Sequence, residues 1–443
     1  MTNLKVLRNL GCSISDVISP FKALVVLLSA APACMDEDLA DTGARPAEIL
    51  EKDIVDDPVL HALSKLGDWE PLAHPLKIAD GPIEDRMYEM TETKRAELVE
   101  AAAKDLSWFS SEGERYEALY VLENGTAYGR KGPAPSMPPP NTPPSNQFGL
   151  GEVDALAEPQ AGSGVHGPSA QVDDLSNPVR PAGSLIETDY TSDGRARKST
   201  NLNQSPWRLT GAISGNGNTQ SGGCSGTKVG PRAVLSASHC FLTEDGMITG
   251  LNGFFNPGQS STATPNGSIP WNGLFLRDWR LAAKADYAVF YLADSSTTYN
   301  LGWMDIGYWD TAAEYTGVVV NLSGYPCGSN TDCGSTAVQR CAASPRADKR
   351  CDGWMYSDAS TLYAASFRSD GQLEYSNDCS FGQSGAAMYM TNFWGPIVLA
   401  VQTEAPTGVC RGPRFQLSMW NDVCTWIANP QKQSAFGNHS QCN

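Results

Sequence analysis

Residues 183–443 predict an all-β domain of two packed barrels closed by a C-terminal helix, and three observations carry that expectation. Short apolar or alternating runs recur between turns of Gly, Asn and Pro. Ten of the twelve cysteines fall after residue 220, a density that signals an oxidising compartment and disulfides. Only the tail, Leu417 to Ile427, reads as a helix, with Trp420, Val423, Trp426 and Ile427 on one face. About 260 residues of short strands with one terminal helix suit a pair of barrels packed together.

At 443 residues the chain is too long for one ordinary domain, and two folded parts, or one plus a pro-segment, accommodate the length. The net charge of −17 argues against nucleic acid or an anionic membrane as a partner. That charge is unevenly placed. Residues 35–182 hold 28 acidic against 12 basic side chains, whereas residues 183–443 hold 20 against 17. Zinc ligation, the rival use of so many cysteines, needs C-x-x-C pairs or accompanying histidines, and neither is present. No metal and no cofactor is expected.

Taken in order, residues 1–33 read as a signal peptide. Lys5, Arg8 and Lys22 precede an apolar run that ends near Ala31, and Ala31-Pro32-Ala33 supplies a small-residue end too soon for a spanning helix. Cys34 follows at once and resembles the lipid-attachment cysteine of bacterial lipoproteins, although Ala31 stands where a leucine is usual. Simple secretion and lipid anchoring at Cys34 both stay open, and the anchor is the one expected contact with a membrane.

Residues 34–130 form an acidic pro-region of mixed or helical character. Glu84 to Trp108 is its best helix, with Met87, Met90, Leu98, Ala101, Ala102 and Leu106 near helical spacing. Arg115 to Leu122 predicts a strand that ends in an Asn124-Gly125 turn. Residues 131–182 turn to Pro, Gly, Ser and Ala, a composition that buries no core and prefers extended conformations, so this is a linker and a cleavage zone. Beyond it, strands are expected over Trp207–Ile213, Lys228–Ser236, Tyr287–Leu292, Val318–Ser323, Ala386–Met390 and Ile397–Gln402. Asn266 and Asn321 lie in Asn-x-Ser/Thr sequences, relevant where the source glycosylates.

Three stretches carry the chemistry. In Asp378-Cys379-Ser380-Phe381-Gly382-Gln383-Ser384-Gly385, Gly382 lets the backbone turn so that its own N–H and that of Ser384 point at one spot, where an acyl-transfer oxyanion would sit. Alone, such a sequence also fits a plain surface turn. In Val234-Leu235-Ser236-Ala237-Ser238-His239-Cys240, an apolar strand leads into a histidine beside a cysteine, a fixed setting that suits a general base. In Asp286-Tyr287-Ala288-Val289-Phe290-Tyr291-Leu292, an aspartate opens an apolar strand and needs a donor, which the histidine ring N–H would supply.

The order His239, Asp286, Ser384 in a disulfide-rich β domain resembles the chymotrypsin superfamily of serine proteases. That resemblance implies a chymotrypsin-like double β-barrel in which Ser384 attacks, His239 carries the proton and Asp286 orients the imidazole. Ser184 to Asp189, Ser205-Pro206-Trp207-Arg208, Asn256-Pro257-Gly258, Trp279 and Ser323-Gly324-Tyr325-Pro326 narrow the likeness to the glutamyl-endopeptidase (V8-like) branch, over nearly all of residues 184–430. Three departures matter. Gln383 stands where trypsin has the aspartate of its activation switch. Gln402 stands where the glutamyl endopeptidases have a pocket histidine, and Cys379 where they have a pocket threonine. Asp378 lies six residues before Ser384, the count of trypsin's pocket aspartate, but the neighbouring cysteine is one residue out of trypsin's register. The pocket candidates are therefore Asp378, Cys379 and Gln402, with the residue preferred before the scissile bond left open.

The resemblance also implies disulfides Cys224–Cys240, Cys379–Cys410 and Cys424–Cys442. Cys327, Cys333, Cys341 and Cys351 remain, with three possible pairings. The expected product is a secreted endopeptidase made as a zymogen, acting on proteins or peptides, with its own pro-region as an internal partner. Arg195-Ala196-Arg197-Lys198 looks cleavable but lies inside the part that resembles the mature enzyme, so maturation near Ala182-Gly183 is favoured. Two rivals are an inactive surface binding protein on the same fold and an esterase using the same triad. An α/β-hydrolase is disfavoured by the residue order and the scarcity of helices.

Overall fold

Where the linker's flanking sequences regain apolar residues, they fold onto one another. The computed structural model describes residues 63, 68–79, 83, 91–134, 136, 196–198, 200–214, 223–260, 263–326, 353–377, 379, 382–392, 395–405, 409–427 and 442. The signal peptide, Cys34, most of the linker, Ala182-Gly183, Asp378 and the four cysteines from Cys327 to Cys351 lie outside these residues.

The N-terminal segment gives β1 (Trp69–Pro71), β2 (Lys77–Ile78), helix α1 (Glu92–Lys104), β3 (Ala118–Leu122) and β4 (Ala127–Arg130). The helix begins at Thr91, whose side chain accepts the Lys94 N–H at 3.1 Å. It stops at Asp105, four residues short of the expected end within the described part. The Asp105 side chain bonds the Ser107 N–H and hydroxyl instead, and that local bond draws the chain into a 3₁₀ turn over Leu106–Trp108. Leu106, placed on the helix's apolar face by its spacing, is therefore exposed, while Leu98 and Ala102 are buried. The β3–β4 hairpin turns at Asn124-Gly125, where Gly125 adopts φ +83°.

The first barrel follows β5 (Ala196–Lys198), which belongs to the second. Its strands are β6 (Thr210–Ser214), β7 (Cys224–Lys228), β8 (Ala233–Ser236), β10 (Phe254–Pro257), β11 (Ile269–Leu276) and β12 (Ala288–Leu292), with the short β9 (Met247–Ile248) beside β2. The order β10-β6-β7-β8-β12-β11 closes because β11 pairs with both β12 and β10. The run expected as one strand over Lys228–Ser236 is the end of β7, a turn at Gly230-Pro231 and then β8. Proline has no N–H to give a ladder, and the Val229 N–H closes the turn on the Ala233 carbonyl at 2.9 Å.

The second barrel is a six-stranded sheet in the order β13-β18-β17-β14-β15-β5, joined by the pair β16–β19. Its strands are β13 (Asp305–Ile306), β14 (Val319–Gly324), β15 (Met355–Thr361), β16 (Gln372–Tyr375), β17 (Ala387–Asn392), β18 (Gly395–Val401) and β19 (Cys410–Pro413). Val320, Leu322, Leu373, Met388, Leu399 and Tyr315 share one core. Helix α2 (Leu417–Ile427) forms at the expected residues, and all of Met419–Ile427 is buried, Asp422 included. The Asn266 amide, a candidate glycosylation acceptor, donates to the Leu202 and Pro257 carbonyls and is spent on holding that turn.

The hairpin before the linker is not separate from the barrel. Strand β11 pairs with β10 through Ile269 and Pro270, which leaves Gly273–Leu276 open on that edge, and β3 fills it with Leu122 to Leu119 in antiparallel register.

Candidate active site

Each expected catalytic residue sits within a few residues of a strand end, His239 after one and Asp286 and Ser384 before one. His239 lies in a 3₁₀ turn, Ser238–Cys240, directly after β8, and the Cys224–Cys240 disulfide ties that turn back to the start of β7. Asp286 ends the turn Ala283–Ala285 and leads into β12. Since β8 and β12 are antiparallel neighbours, with Ser236 opposite Ala288, the two side chains emerge side by side.

Asp286 holds His239 twice. One carboxylate oxygen lies 2.7 Å from Nδ1 and the other accepts the histidine's own backbone N–H at 2.9 Å. The residues are 5% and 3% exposed, so the contact is made out of water, where one well-formed charge-assisted bond fixes orientation. The Trp279 ring meets the imidazole edge-on at 6.0 Å, anchored by its indole N–H on the Leu242 carbonyl at 2.7 Å.

Ser384 lies on the turn before β17, with none of its surface exposed. The Ser225 N–H donates to its carbonyl at 2.8 Å, and the Ser225 hydroxyl donates to the Gly382 carbonyl at 2.7 Å while accepting the Tyr325 N–H at 2.8 Å. Ser225 adjoins Cys224, so the disulfide links the serine's support to the histidine's turn. Gly382 and Gly385 adopt φ of +87° and +85°. A β-carbon at Gly385 would lie 2.1 Å from Ser236 Oγ and 2.2 Å from the Ser225 carbonyl, so the absence of a side chain lets the serine turn press against the strand end that presents His239. Ser225 carried no signal as a lone serine after a cysteine; its role depends on the pairing of loops far apart in sequence.

Of the pocket candidates, Cys379 is bonded to Cys410, which ties the serine loop to β19. Gln402 is fully buried. Its carbonyl oxygen accepts the Tyr375 hydroxyl and its amide donates to the Glu404 carbonyl at 2.9 Å. Neither Tyr375 nor Glu404 stood out in the sequence. Glu404 takes Arg95 of helix α1 at 3.1 Å, and the same guanidinium donates to the Trp279 carbonyl at 3.1 Å. Burial raises the Glu404 pKa above the ordinary carboxylate value, with Asp286 adding to the rise while Arg95 and Arg411 oppose it.

Among the described residues, Cys224, His239 and Cys240 bring metal-ligating atoms together, but the disulfide consumes both sulfurs, and the set does not fit a metal. Asp286 meets the imidazole Nδ1 at 2.7 Å.

The two barrels thus carry a buried Asp–His pair and, on the turn before β17, a serine close to two positive-φ glycines. Residues 195–412 match the family model for trypsin, which identifies a trypsin-like serine protease domain in this part of the chain. A glutamyl endopeptidase of Bacillus licheniformis is 26% identical over 298 residues, 65% of this chain and 82% of that protein. A protein named extracellular metalloprotease, from Bacillus subtilis, is 24% identical over 288 residues, 62% of this chain and 81% of its own. A solved Glu endopeptidase in complex with MPD aligns at 18% identity with a TM-score of 0.41, covering 54% of this chain and 97% of that one.

Proposed function

We propose that this chain is a secreted precursor of a serine endopeptidase that cleaves peptide bonds through Ser384, His239 and Asp286. Ser384 Oγ attacks the scissile carbonyl and His239 takes its proton, then returns it to the leaving amine. Asp286 keeps the imidazole in the tautomer whose Nε2 is the acceptor, and it stabilises the imidazolium that forms. The N–H groups of Gly382 and Ser384 bind the oxyanion, on a loop braced from behind by Ser225. The observation that carries the reading is the two-point grip of the buried Asp286 carboxylate on His239.

Three disulfides in the described residues support an oxidising compartment and hence secretion, with lipid attachment at Cys34 as the anchored variant. Processing in the linker near Ala182-Gly183 fits better than a cut at Arg195–Lys198, because the latter would sever β5 from β15. Asp378, Cys379 and Gln402 remain the candidates for the wall that reads the residue before the cut. Gln402 is already bonded on both sides of its amide, so it lines the pocket as a fixed neutral surface and not as a carboxylate-binding group.

Incubating the full chain with a peptide library, with Ser384→Ala in parallel, tests the reading. Turnover by the native chain and none by the variant is expected, and the cleaved sequences give the preferred residue. Equal cleavage by the variant, or none by either after linker processing, contradicts it.

A further inference from the structure

We propose that residues 68–134 stay bound after the linker behind them is cut, so that the working enzyme is a noncovalent two-chain particle whose smaller piece completes the first barrel. The inference leans on the proposed function only in taking the linker, residues 135–182, as the cleavable stretch; the contact itself is independent of catalysis.

Backbone pairing joins the two pieces through β3 and β11. Without β3, strand β11 presents Gly273–Leu276 as an open edge beside a closed barrel, and an unpaired edge of apolar strand seeks a partner. The fit is specific. A β-carbon at Gly273 would lie 2.7 Å from the Tyr120 hydroxyl oxygen, so this glycine is what lets the Tyr120 ring cross the strand.

An aromatic layer joins them as well. Phe275 is stacked on one partner by Tyr120, at 4.2 Å between centroids, and on another by Trp426 of α2 at 5.3 Å, with Trp69 edge-on at 5.5 Å. Tyr120 is fully buried in this arrangement, and departure of the segment would return it and the face of Phe275 to water.

Charge joins them too. Asp422, buried on α2, meets Arg130 at 2.5 Å, Arg277 at 3.0 Å and the Tyr287 hydroxyl at 2.5 Å. Arg130 is itself wholly buried, and a guanidinium in that position is stable only while its carboxylate stays. Arg115 also pairs with the buried Asp278, and the buried Arg280 with Asp105, so both pieces contribute each sign of charge. Because Arg95 reaches Glu404 and the Trp279 carbonyl, the retained piece also contributes to the wall beside the catalytic histidine.

The test uses the full chain carrying Ser384→Ala and a recognition sequence for a site-specific protease placed among residues 140–170. After complete cutting, gel filtration at high dilution and in concentrated salt should give both fragments in one peak, separating only in denaturant. Elution of the N-terminal fragment by itself in native buffer, with the larger piece keeping its near-ultraviolet circular dichroism, overturns the proposal. Arg130→Ala is expected to release the fragment about a hundredfold faster; if that variant does not fold, the unsubstituted cut chain still decides. Absence of peptidase activity in the native enzyme would count against the proposed function and leave this result standing, since the cut chain is inactive by design.

Discussion

Replacing Asp286 by asparagine keeps the side chain's shape but puts an amide where the imidazole N–H now finds a carboxylate. The ring then turns its N–H toward the serine, so kcat should fall by about ten-thousandfold with the fold intact, measured by peptide hydrolysis and circular dichroism. Glu404 offers a pH-dependent counterpart. Burial raises its pKa in the folded state, so the folded protein holds a proton that the unfolded chain has already lost. Stability therefore declines as pH rises from the ordinary carboxylate value through the raised one. Glu404→Gln, which stays neutral, should flatten that decline in urea midpoints taken across the acid range; an unchanged slope would assign the decline to another group. His239, Asp286 and Ser384 were legible in the sequence because each stands at the end of an apolar strand in a recognisable order. Glu404, Tyr375 and Ser225 were not, because ordinary polar residues acquire meaning only from partners that folding brings near.

At the scale of elements, the turns before and after the strands carry the catalytic geometry. Gly385→Ala would place a methyl against Ser236 Oγ and the Ser225 carbonyl at a positive φ, and a loss of about 3 kcal/mol or more is expected from denaturant unfolding. Opening Cys224–Cys240 by paired serine substitutions should cost about 2–4 kcal/mol and lower kcat together with stability, since the bridge spans the histidine turn and the strand beside Ser225. Here the sequence was partly legible. Helix α2 and strands β12, β14, β17 and β18 appear close to where apolar runs place them. Strand β15, Met355–Thr361, did not announce itself, because Ser357, Asp358 and Ser360 are polar yet buried, and polar strands between two neighbours lack the alternation that marks a solvent-facing one. Strand β11 was hidden by Pro270 and Gly273, residues that read as turn but here mark a register shift after Trp271 and the crossing of Tyr120.

Across the whole molecule, the acidic N-terminal half and the nearly neutral protease domain are linked by structure as well as by chain. Reading them as separate followed from the proline-rich stretch between them, whose composition is visible, whereas the pairing of β3 with β11 joins residues about 150 apart and leaves no local trace. Expression of residues 196–443 without the segment should yield poorly soluble protein, and coexpressing residues 68–134 as a separate chain should restore it; equal solubility of the short form would mean the barrel closes unaided. In the proposed mechanism one serine, Ser384, is made nucleophilic by an imidazole that Asp286 holds in place. Reaction of the full chain with a fluorophosphonate, followed by mass spectrometry of the modified peptide, tests that claim most directly. One label per molecule on Ser384, greatly slowed by Asp286→Asn and absent in Ser384→Ala, is the predicted result. A processed, folded chain that takes no label at Ser384 would contradict it.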